Sequence, residues 1–243
     1  MATLKQLVDG TGRVLRTTGS LLRSPDRTEK VKSIARWWTF LEESQAVPQQ
    51  FLVDIFPGIG SMRASLPLTM KHNWELPYGE KVILDGIVRL LAPITLFEFG
   101  TATGETSVLL ADAAPEGAVV HTVDLPEELD PEIGAGAVGQ AFKDRPEYAN
   151  VIVQHRVDLR SFDGEPFRGT VDFIFIDAAH DFNSVTQDSE LALKMLRPGG
   201  CIVWDDYQPS QWGTVKALNE LSKSYPLARI AYSRFVVLRS TAL

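Results

Sequence analysis

The second half of the chain constrains the fold most, because short apolar runs alternate there with helix-forming stretches. We predict strands at residues 94–99, 119–123, 151–157, 171–176 and 201–204. Continuous apolar runs of this length are typical of parallel strands that are buried on both faces. Helices expected at 105–114 and 183–196 would connect neighbouring strands by right-handed crossovers. The pattern therefore predicts an α/β fold with an open, doubly wound, mostly parallel sheet.

The two ends of the chain extend this prediction. Residues 228–239 carry two apolar runs with no helix between them, which favours an antiparallel hairpin at one sheet edge and a total of seven strands. We expect residues 1–76 to form a helical N-terminal extension with a lid or substrate segment, and residues 77–243 to form the main domain. Within the extension, Ser24-Pro25 is typical of a helix start, and that helix should end near Glu43.

Composition excludes several classes of protein. The chain has 243 residues with one cysteine, Cys201, which rules out an internal disulfide and a four-thiolate zinc site. No apolar run approaches the roughly 18–20 residues that a membrane span requires. No secretory signal is visible, so we expect a cytoplasmic protein.

Charge is distributed unevenly along the chain. Residues 1–40 hold eight basic and three acidic side chains, a net charge of +5, whereas the remaining residues carry −12. Together with a pI near 5.2, this argues against nucleic acid as a partner. The basic arm has leucines at near-helical spacing, as do membrane-surface helices and transit peptides. We expect it instead to pack on its own domain or on a partner subunit, and we predict a homodimer.

A glycine-rich turn follows the first strand, where open parallel sheets bind their ligands. It contains Gly100 and Gly104 and precedes a helix whose free N–H groups favour an anion. Asp124 ends the second strand, 20 residues after Gly104, which is typical of an acid that holds ribose hydroxyls. A nicotinamide-binding turn would require a glycine where Ala102 stands. The turn and Asp124 together predict a nucleoside-containing cofactor.

Carboxylates also follow the fourth and fifth strands. Asp177 ends the fourth strand, and Asp205 and Asp206 end the fifth. If these strands are neighbours, roughly 4.8 Å apart, a divalent cation is the simplest way to hold the three charges together. An all-oxygen ligand set favours Mg²⁺, Mn²⁺ or Ca²⁺ over zinc. His180 follows Asp177 closely and is a candidate general base. The alternative is that Asp205 and Asp206 cap the next helix and that His180 is structural.

At these residues the sequence resembles the class I S-adenosylmethionine-dependent methyltransferases. Within that class it is most similar to the metal-dependent small-molecule O-methyltransferases that act on catechols, on caffeoyl-CoA or on sugars and natural products. The resemblance covers about residues 77–240 and implies a Rossmann-like fold. It is carried by the segments Glu98-Phe-Gly-Thr-Ala-Thr-Gly-Glu-Thr106, Val171-Asp-Phe-Ile-Phe-Ile-Asp-Ala-Ala-His180 and Leu196-Arg-Pro-Gly-Gly-Cys-Ile-Val-Trp-Asp-Asp-Tyr207.

The resemblance implies a role for each site residue. The cofactor S-adenosylmethionine would be bound by Glu98, Gly100, Thr101, Thr103, Gly104, Thr106, Asp124, Asp158 and Leu159, with Pro77–Glu80 lying against it. Asp177, Asp205 and Asp206 fall on the metal-ligand positions, with Mg²⁺ the preferred ion. His180 falls where the catechol enzymes have a lysine base, so His180 and Asp177 are the expected catalytic residues. The family often has Asn where this chain has Asp206.

The sequence thus predicts an O-methyltransferase that transfers a methyl group to a hydroxyl of a small molecule, with a divalent metal activating that hydroxyl. Two alternatives stay open. One is a metal-independent N- or O-methyltransferase with a structural acidic cluster. The other is a cofactor-binding protein without chemistry that acts through its N-terminal arm in assembly.

Overall fold

The structure, a computed structural model, describes residues 27–66, 76–126, 129 and 137–240. The chain divides into two compact units, with the division between residues 43 and 44. The domain boundary expected from the sequence, between residues 76 and 77, stays a prediction. Among the described helices, none has both the length and the apolar character that crossing a bilayer requires.

In the first unit the structure describes one helix, α1, at Arg27–Glu43. Its end agrees with the predicted one, whereas the expected start at Ser24-Pro25 lies outside the described residues. One ion pair, 2.8 Å between Lys32 Nζ and Glu29 Oε1, joins neighbouring turns of α1. The predicted role of the basic arm also concerns residues outside the described part, so it stays a prediction.

The second unit alternates strands and helices, as predicted. Its strands are β1 (Gln49–Gln50), β2 (Thr95–Phe99), β3 (Val119–Asp124), β4 (Ile152–Arg156), β5 (Val171–Ile176), β6 (Leu196–Trp204), β7 (Ala228–Ile230) and β8 (Val236–Arg239). Its helices are α2 (Leu52–Ile55), α3 (Tyr78–Leu91), α4 (Glu105–Ala113), α5 (Gln140–Lys143), α6 (Phe182–Met195) and α7 (Trp212–Leu221). Short 3-10 turns lie at Ile59–Ser61, Pro146–Tyr148, Leu159–Ser161 and Glu165–Phe167.

The strands form one sheet in the order β1-β7-β8-β6-β5-β2-β3-β4. The pairs β5/β6, β2/β5, β2/β3 and β3/β4 are parallel, and β8 is antiparallel to both β6 and β7. The doubly wound, mostly parallel α/β fold is therefore confirmed, with all seven predicted strands. The parallel strands end at the same edge of the sheet, and the side chains of the central strands, such as Phe97, Phe173 and Val203, are fully buried.

Two details differ from the sequence prediction. A two-residue strand, β1, pairs in parallel with β7, so the C-terminal hairpin lies one strand inside the edge. Gln49 and Gln50 lack the apolar pattern that predicts a strand, because both side chains are exposed. Strand β6 is also longer than expected. It starts at Leu196, which pairs with Val171 before a register shift, so residues 197–200 continue the strand instead of forming a free turn.

Candidate active site

The glycine-rich turn after β2 brings the backbone against the end of β5. Gly100 has φ +94°, and a Cβ at this position would lie 2.1 Å from the carbonyl oxygen of Asp177. Only glycine fits here, because a side chain would meet backbone that cannot move away. Gly104, with φ +87°, begins α4 and would place a Cβ 2.5 Å from the ring of Phe142. The two glycines therefore allow the turn after β2 to pack closely against the end of β5 and against α5.

A small cavity lies over this turn. It is lined by Leu76, Lys81, Gly100, Thr101, Ala102, Thr103, Glu105, Thr106 and Asp177. The lining brings together five of the predicted site residues, Gly100, Thr101, Thr103, Thr106 and Asp177. Lys81 belongs to the first turns of α3, and its side chain is buried. The sequence analysis missed Lys81, because a lysine early in an amphipathic helix usually points to solvent.

Glu98 lies below the turn and is 1 % exposed. Its Oε2 accepts hydrogen bonds from Ser107 and, at 2.6 Å, from Thr122 Oγ1. Burial raises the pKa of Glu98 to about 8. Its Oε1 has no hydrogen-bond partner among the described residues. An unsatisfied buried carboxylate oxygen is costly, so this atom is suited to a ligand that brings a cationic donor such as an ammonium group.

Asp124, at the end of β3, is held in place by backbone donors. Its Oδ2 accepts a 2.7 Å bond from the N–H of Ala102, and its Oδ1 a 2.7 Å bond from the N–H of Leu125. The carboxylate therefore bridges the glycine turn and the next loop. A carboxylate fixed by backbone donors at a strand end is the kind of acceptor group that binds a ribose diol.

Asp158 and Leu159 lie beyond the end of β4, and neither lines the cavity. Asp158 is the N-cap of the 3-10 turn Leu159–Ser161 and pairs with Arg160, 3.0 Å from Nε. This side-chain hydrogen bond, with a second from the Arg160 backbone, lowers the pKa of Asp158. Capping and ion pairing account for Asp158 locally, so a contact of these two residues with an adenine stays a prediction.

The acidic residues predicted from the sequence meet at the ends of β5 and β6, where we call Asp177, His180, Asp205 and Asp206 the strand-end cluster. The backbone N–H of Asp205 donates to Ile176 at 3.0 Å, so the two strand ends are directly bonded. Asp206 has a positive φ of 61°, which is unusual for a residue other than glycine. Strained backbone of this kind is often found at functional sites.

His180 lies against Asp206, with 2.7 Å between Nε2 and Oδ2, and 3.9 Å from Asp177 Oδ1. Contact with Asp206 raises the pKa of His180, while burial opposes the rise. Burial and the nearby Asp206 raise the pKa of Asp177 to about 6. Asp177, His180 and Asp206 each offer a donor atom, all within 4.8 Å of one another. This spacing and donor chemistry fit a divalent metal ion.

Asp205 differs from its neighbours, because its carboxylate faces an arginine. Arg234 Nη2 lies 2.8 Å from Asp205 Oδ2, and Nη1 lies 3.2 Å from Asp206 Oδ1. The other oxygen of Asp205 accepts a 2.6 Å bond from the N–H of Asp206. Burial raises the pKa of Asp205, and the guanidinium opposes that rise. Asp205 is therefore near the other acids without belonging to the group of three donors.

Arg234 and Glu80 complete the site from distant parts of the sequence. Glu80, in the first turn of α3, accepts a 2.9 Å bond from the backbone N–H of Arg234 and lies 3.1 Å from its Nη2. The sequence analysis did not single out Arg234. The signal was available in the hairpin, because β8 runs antiparallel to β6 and so the turn before Val236 must return to the end of β6 at Trp204.

Comparison with known proteins agrees with this geometry. Residues 97–207 match the family model described as a methyltransferase domain. Caffeoyl-CoA O-methyltransferase 2 of Zea mays is 28 % identical over 159 residues, which cover 60 % of this chain and 55 % of that protein. A caffeoyl-CoA O-methyltransferase of Eucalyptus globulus is 26 % identical over 197 residues, covering 75 % and 74 %. The chain thus spans little more than half the length of the maize relative.

Solved structures share the fold. An O-methyltransferase from Streptomyces achromogenes involved in tomaymycin synthesis, in complex with SAM, superposes with a TM-score of 0.51 and 19 % identity over 68 % of this chain and 82 % of that one. An O-methyltransferase from Bacillus cereus in complex with SAH gives 0.52 and 19 %, covering 70 % and 84 %. These structures show that the fold is shared, and the match over residues 97–207 together with the similarity to the caffeoyl-CoA enzymes confirms the predicted resemblance to the class I S-adenosylmethionine-dependent methyltransferases.

Proposed function

We propose that this protein transfers the methyl group of S-adenosylmethionine to a hydroxyl of a small molecule. The observation that carries the proposal is the adjacency of two sites, since Gly100 of the cofactor turn touches the backbone of Asp177 in the strand-end cluster. A methyl donor on the turn and an acceptor at the cluster would then lie side by side. Holding both in near-attack geometry contributes a large part of such catalysis.

The buried residues around the turn support cofactor binding. Glu98 Oε1 is suited to the ammonium of the methionine part, and the N-terminal end of α4 to its carboxylate. Asp124 would accept the ribose hydroxyls. Titration calorimetry with S-adenosylmethionine tests this assignment. Absence of binding, or a preference for a nicotinamide dinucleotide, would exclude it.

His180 is the proposed proton acceptor. Its Nε2 lies 2.7 Å from Asp206 Oδ2, so that carboxylate would stabilise the protonated ring, and Nδ1 would receive the hydroxyl proton. In the reaction the acceptor oxygen forms a bond to the methyl carbon while the bond from that carbon to sulfur breaks, and the proton goes to His180. A histidine oriented by a carboxylate is a common arrangement for general bases.

A divalent metal would be held by Asp177 and Asp206, the two carboxylates that belong both to the predicted ligand set and to the group of three donors. When bound, such an ion lowers the pKa of a coordinated hydroxyl and orients it. Mg²⁺ or Mn²⁺ suits oxygen ligands. Turnover, measured as S-adenosylhomocysteine release over a panel of catechols, phenols and sugars, should then be lost in EDTA and restored by Mg²⁺ or Mn²⁺.

The second candidate is metal-independent methyl transfer, and the position of Arg234 favours it. A guanidinium on Asp205 and Asp206 already neutralises part of the charge that would otherwise require a metal. The pair of His180 and Asp206 would then act alone as base and orienting group. Full turnover in excess EDTA would support this candidate over the metal-dependent one. Cofactor binding without turnover on any acceptor would support a non-catalytic role.

We also propose that the protein forms a homodimer through α1. Val31, Ile34, Trp38 and Leu41 recur at intervals of three, four and three residues, the spacing of a helix-pairing seam. Their exposed fractions are 53 %, 50 %, 66 % and 57 %. The apolar stripe is thus open along the described length of the helix, and a large exposed patch of this kind marks an interaction site.

Charge along α1 favours a second copy as the partner. The first ten positions hold four basic residues and one acid, Glu29, whereas the last two residues are Glu42 and Glu43. An antiparallel pair therefore sets opposite charges against each other, whereas a parallel pair does not. Residues 1–26, with four basic and two acidic side chains, would place positive charge on the basic half. Residues 1–26 are therefore a less suitable partner for the apolar stripe of α1 than a second copy of this helix.

Sedimentation equilibrium tests this interface. In an antiparallel pair in which Ile34 faces Trp38, Lys30 of one copy faces Glu42 of the other. Ile34→Glu should abolish the dimer, K30E should weaken it several-fold, and the double swap K30E/E42K should restore it. K32E, which reverses a charge away from the stripe, is the control. A protein that is monomeric at all concentrations, or that binds anionic vesicles instead, would contradict the proposal.

A further inference from the structure

Arg234 is a basic residue that contacts two acids of the strand-end cluster. It contacts Asp205 at 2.8 Å, Asp206 at 3.2 Å and Glu80 at 3.1 Å, and its own backbone N–H is bonded to Glu80. The two carboxylates nearest Nη2 are almost completely buried, with 4 % exposure for Asp205 and 6 % for Glu80. Arg234 itself is partly buried, and a guanidinium shared by three carboxylates is a fixed part of the site and not a lone surface ion pair.

The turn between β7 and β8 fixes this arginine. The carbonyl of Arg234 accepts a 3.0 Å bond from the N–H of Tyr207, immediately after the acidic pair. Tyr232, two residues before it, has φ +66°, and the next residue, Ser233, bonds through its hydroxyl to the N–H of Phe235 at 3.1 Å. The backbone on both sides of Arg234 is therefore tied to the hairpin and to the loop after β6.

We propose that Arg234 is an internal cation that occupies Asp205, so that a divalent metal ion binds through Asp177 and Asp206 while Asp205 is withheld as a ligand. The proposal rests on the proposed metal site. It differs from the ligand set predicted from the sequence, in which Asp205 takes part. Arg234 is here a positioning residue, since it acts on the metal site through the two acids it contacts.

The electrostatic reason is direct. A positive charge within about 3 Å of Asp206 repels a divalent cation that approaches the same carboxylate. The same guanidinium satisfies Asp205 with a charge-assisted bond that a metal would have to break. Both effects weaken metal binding, and both disappear if the guanidinium is replaced by an apolar side chain of similar length. At the effective dielectric of a partly buried site, removing one such charge is worth at least about tenfold in metal affinity.

The test measures Mn²⁺ binding to the full chain by the loss of the free-ion EPR signal, without any substrate. R234M should bind Mn²⁺ at least about tenfold more tightly than the unmodified protein, and R234K, which keeps the charge, should not. D205N should change Mn²⁺ affinity little in the unmodified protein but should remove most of the gain in R234M. D177N should weaken binding in both backgrounds.

The outcomes distinguish the proposed role of Arg234 from the proposed metal dependence of the reaction. Weaker or unchanged Mn²⁺ binding in R234M would overturn the inference, and so would a D205N variant that loses affinity as severely as D177N. If the unmodified protein binds no Mn²⁺ and R234M does, Arg234 still blocks metal binding at the cluster, but the metal site at Asp177 and Asp206 is overturned and the metal-dependent function fails with it. Binding by neither protein overturns the inference. Since R234M leaves buried carboxylates without their partner, R234M/E80Q, which removes one charge of each sign, is measured beside it with thermal unfolding as a check of folding.

Discussion

The two halves of the proposed active site, one for the cofactor and one for the methyl acceptor, are built in different ways. The cofactor half comes from one continuous stretch, β2 to β3, in which Gly100, Gly104 and Asp124 lie within 25 residues. The acceptor half draws Glu80, Asp177, Asp206 and others from α3, β5, the loop after β6 and the C-terminal hairpin. In the first half backbone groups make most of the contacts, as in the two backbone bonds to Asp124. In the second half, charged side chains contact each other.

This difference determines whether a mutation changes the reaction rate or the affinity for the cofactor. A backbone-lined turn tolerates loss of one side chain with a modest loss of affinity, since many N–H groups remain. A cluster of charges in a partly buried place is coupled, so that removing one member changes the protonation and the position of the others. We therefore expect substitutions in the acceptor half to act on the rate and those in the cofactor half to act on binding.

The largest effect is expected for Asp177→Asn. It removes a charge at the point where the two halves meet, and if metal or hydroxyl activation is lost the turnover rate should fall on the order of 10²–10³-fold. Calorimetric affinity for S-adenosylmethionine should change far less. Glu190→Gln, an exposed acid on α6, is the control. An equal loss in affinity and in rate would show that the two halves do not function separately.

Asp124→Ala tests the cofactor half. Loss of the carboxylate leaves the N–H groups of Ala102 and Leu125 without their acceptor and removes the proposed ribose contact. Cofactor binding should weaken by roughly 1–3 kcal/mol. The affinity of Asp124→Asn should lie between those of the unmodified protein and Asp124→Ala. Calorimetry measures the affinity, and turnover at saturating cofactor should recover most of the rate. A rate that stays low at saturation would place Asp124 in the chemistry as well.

Gly213→Ala should perturb the acceptor half through the backbone of His180. A Cβ at residue 213, in the first turn of α7, would lie 2.2 Å from the carbonyl oxygen of His180. Because that contact is with backbone, the loop must shift, and we expect roughly a tenfold loss of turnover from a misplaced His180. Gly60→Ala, whose Cβ would have nothing within 4 Å, is the matched control. Identical turnover in both variants would argue against a fixed position of His180.

The smallest effect lies outside both halves, at two histidines on β3 and β4. His121 Nδ1 is 3.2 Å from His155 Nε2, and both rings stack on Phe97. Burial and the neighbouring His155 lower the pKa of His121 to about 4 from an ordinary 6.5.

Between these pH values the unfolded chain binds more protons at His121 than the folded one, so stability should fall as the pH drops from 6.5 toward 4. We expect a loss on the order of 1 kcal/mol, because the ring is only partly buried and its charge is partly screened. Urea unfolding at pH 7 and pH 5 measures it. His121→Phe should flatten the dependence, and an unchanged slope would assign the acid sensitivity to the carboxylates.

Much of this protein follows from its sequence, for local reasons. Five short apolar runs that alternate with helices predict the parallel sheet, because this pattern is typical of strands that are buried on both faces. The positions of Gly100 and Asp124 follow from their places at strand ends. The two-residue β1 and the start of β6 at Leu196 did not follow, since pairing with a neighbour, and not side-chain pattern, makes them strands.

What only the tertiary structure decided is which charges meet. The sequence placed Asp177, Asp205 and Asp206 at strand ends and suggested that all three share one ion. The fold instead brings Arg234, 28 residues beyond Asp206, onto Asp205 and leaves Asp177, His180 and Asp206 as the group of three donors. Charges act through space over a few ångströms, and the spatial neighbours of a side chain at a sheet edge are set by strand order. Strand order here depends on the antiparallel return of β8 beside β6, a contact between residues that are far apart in the chain.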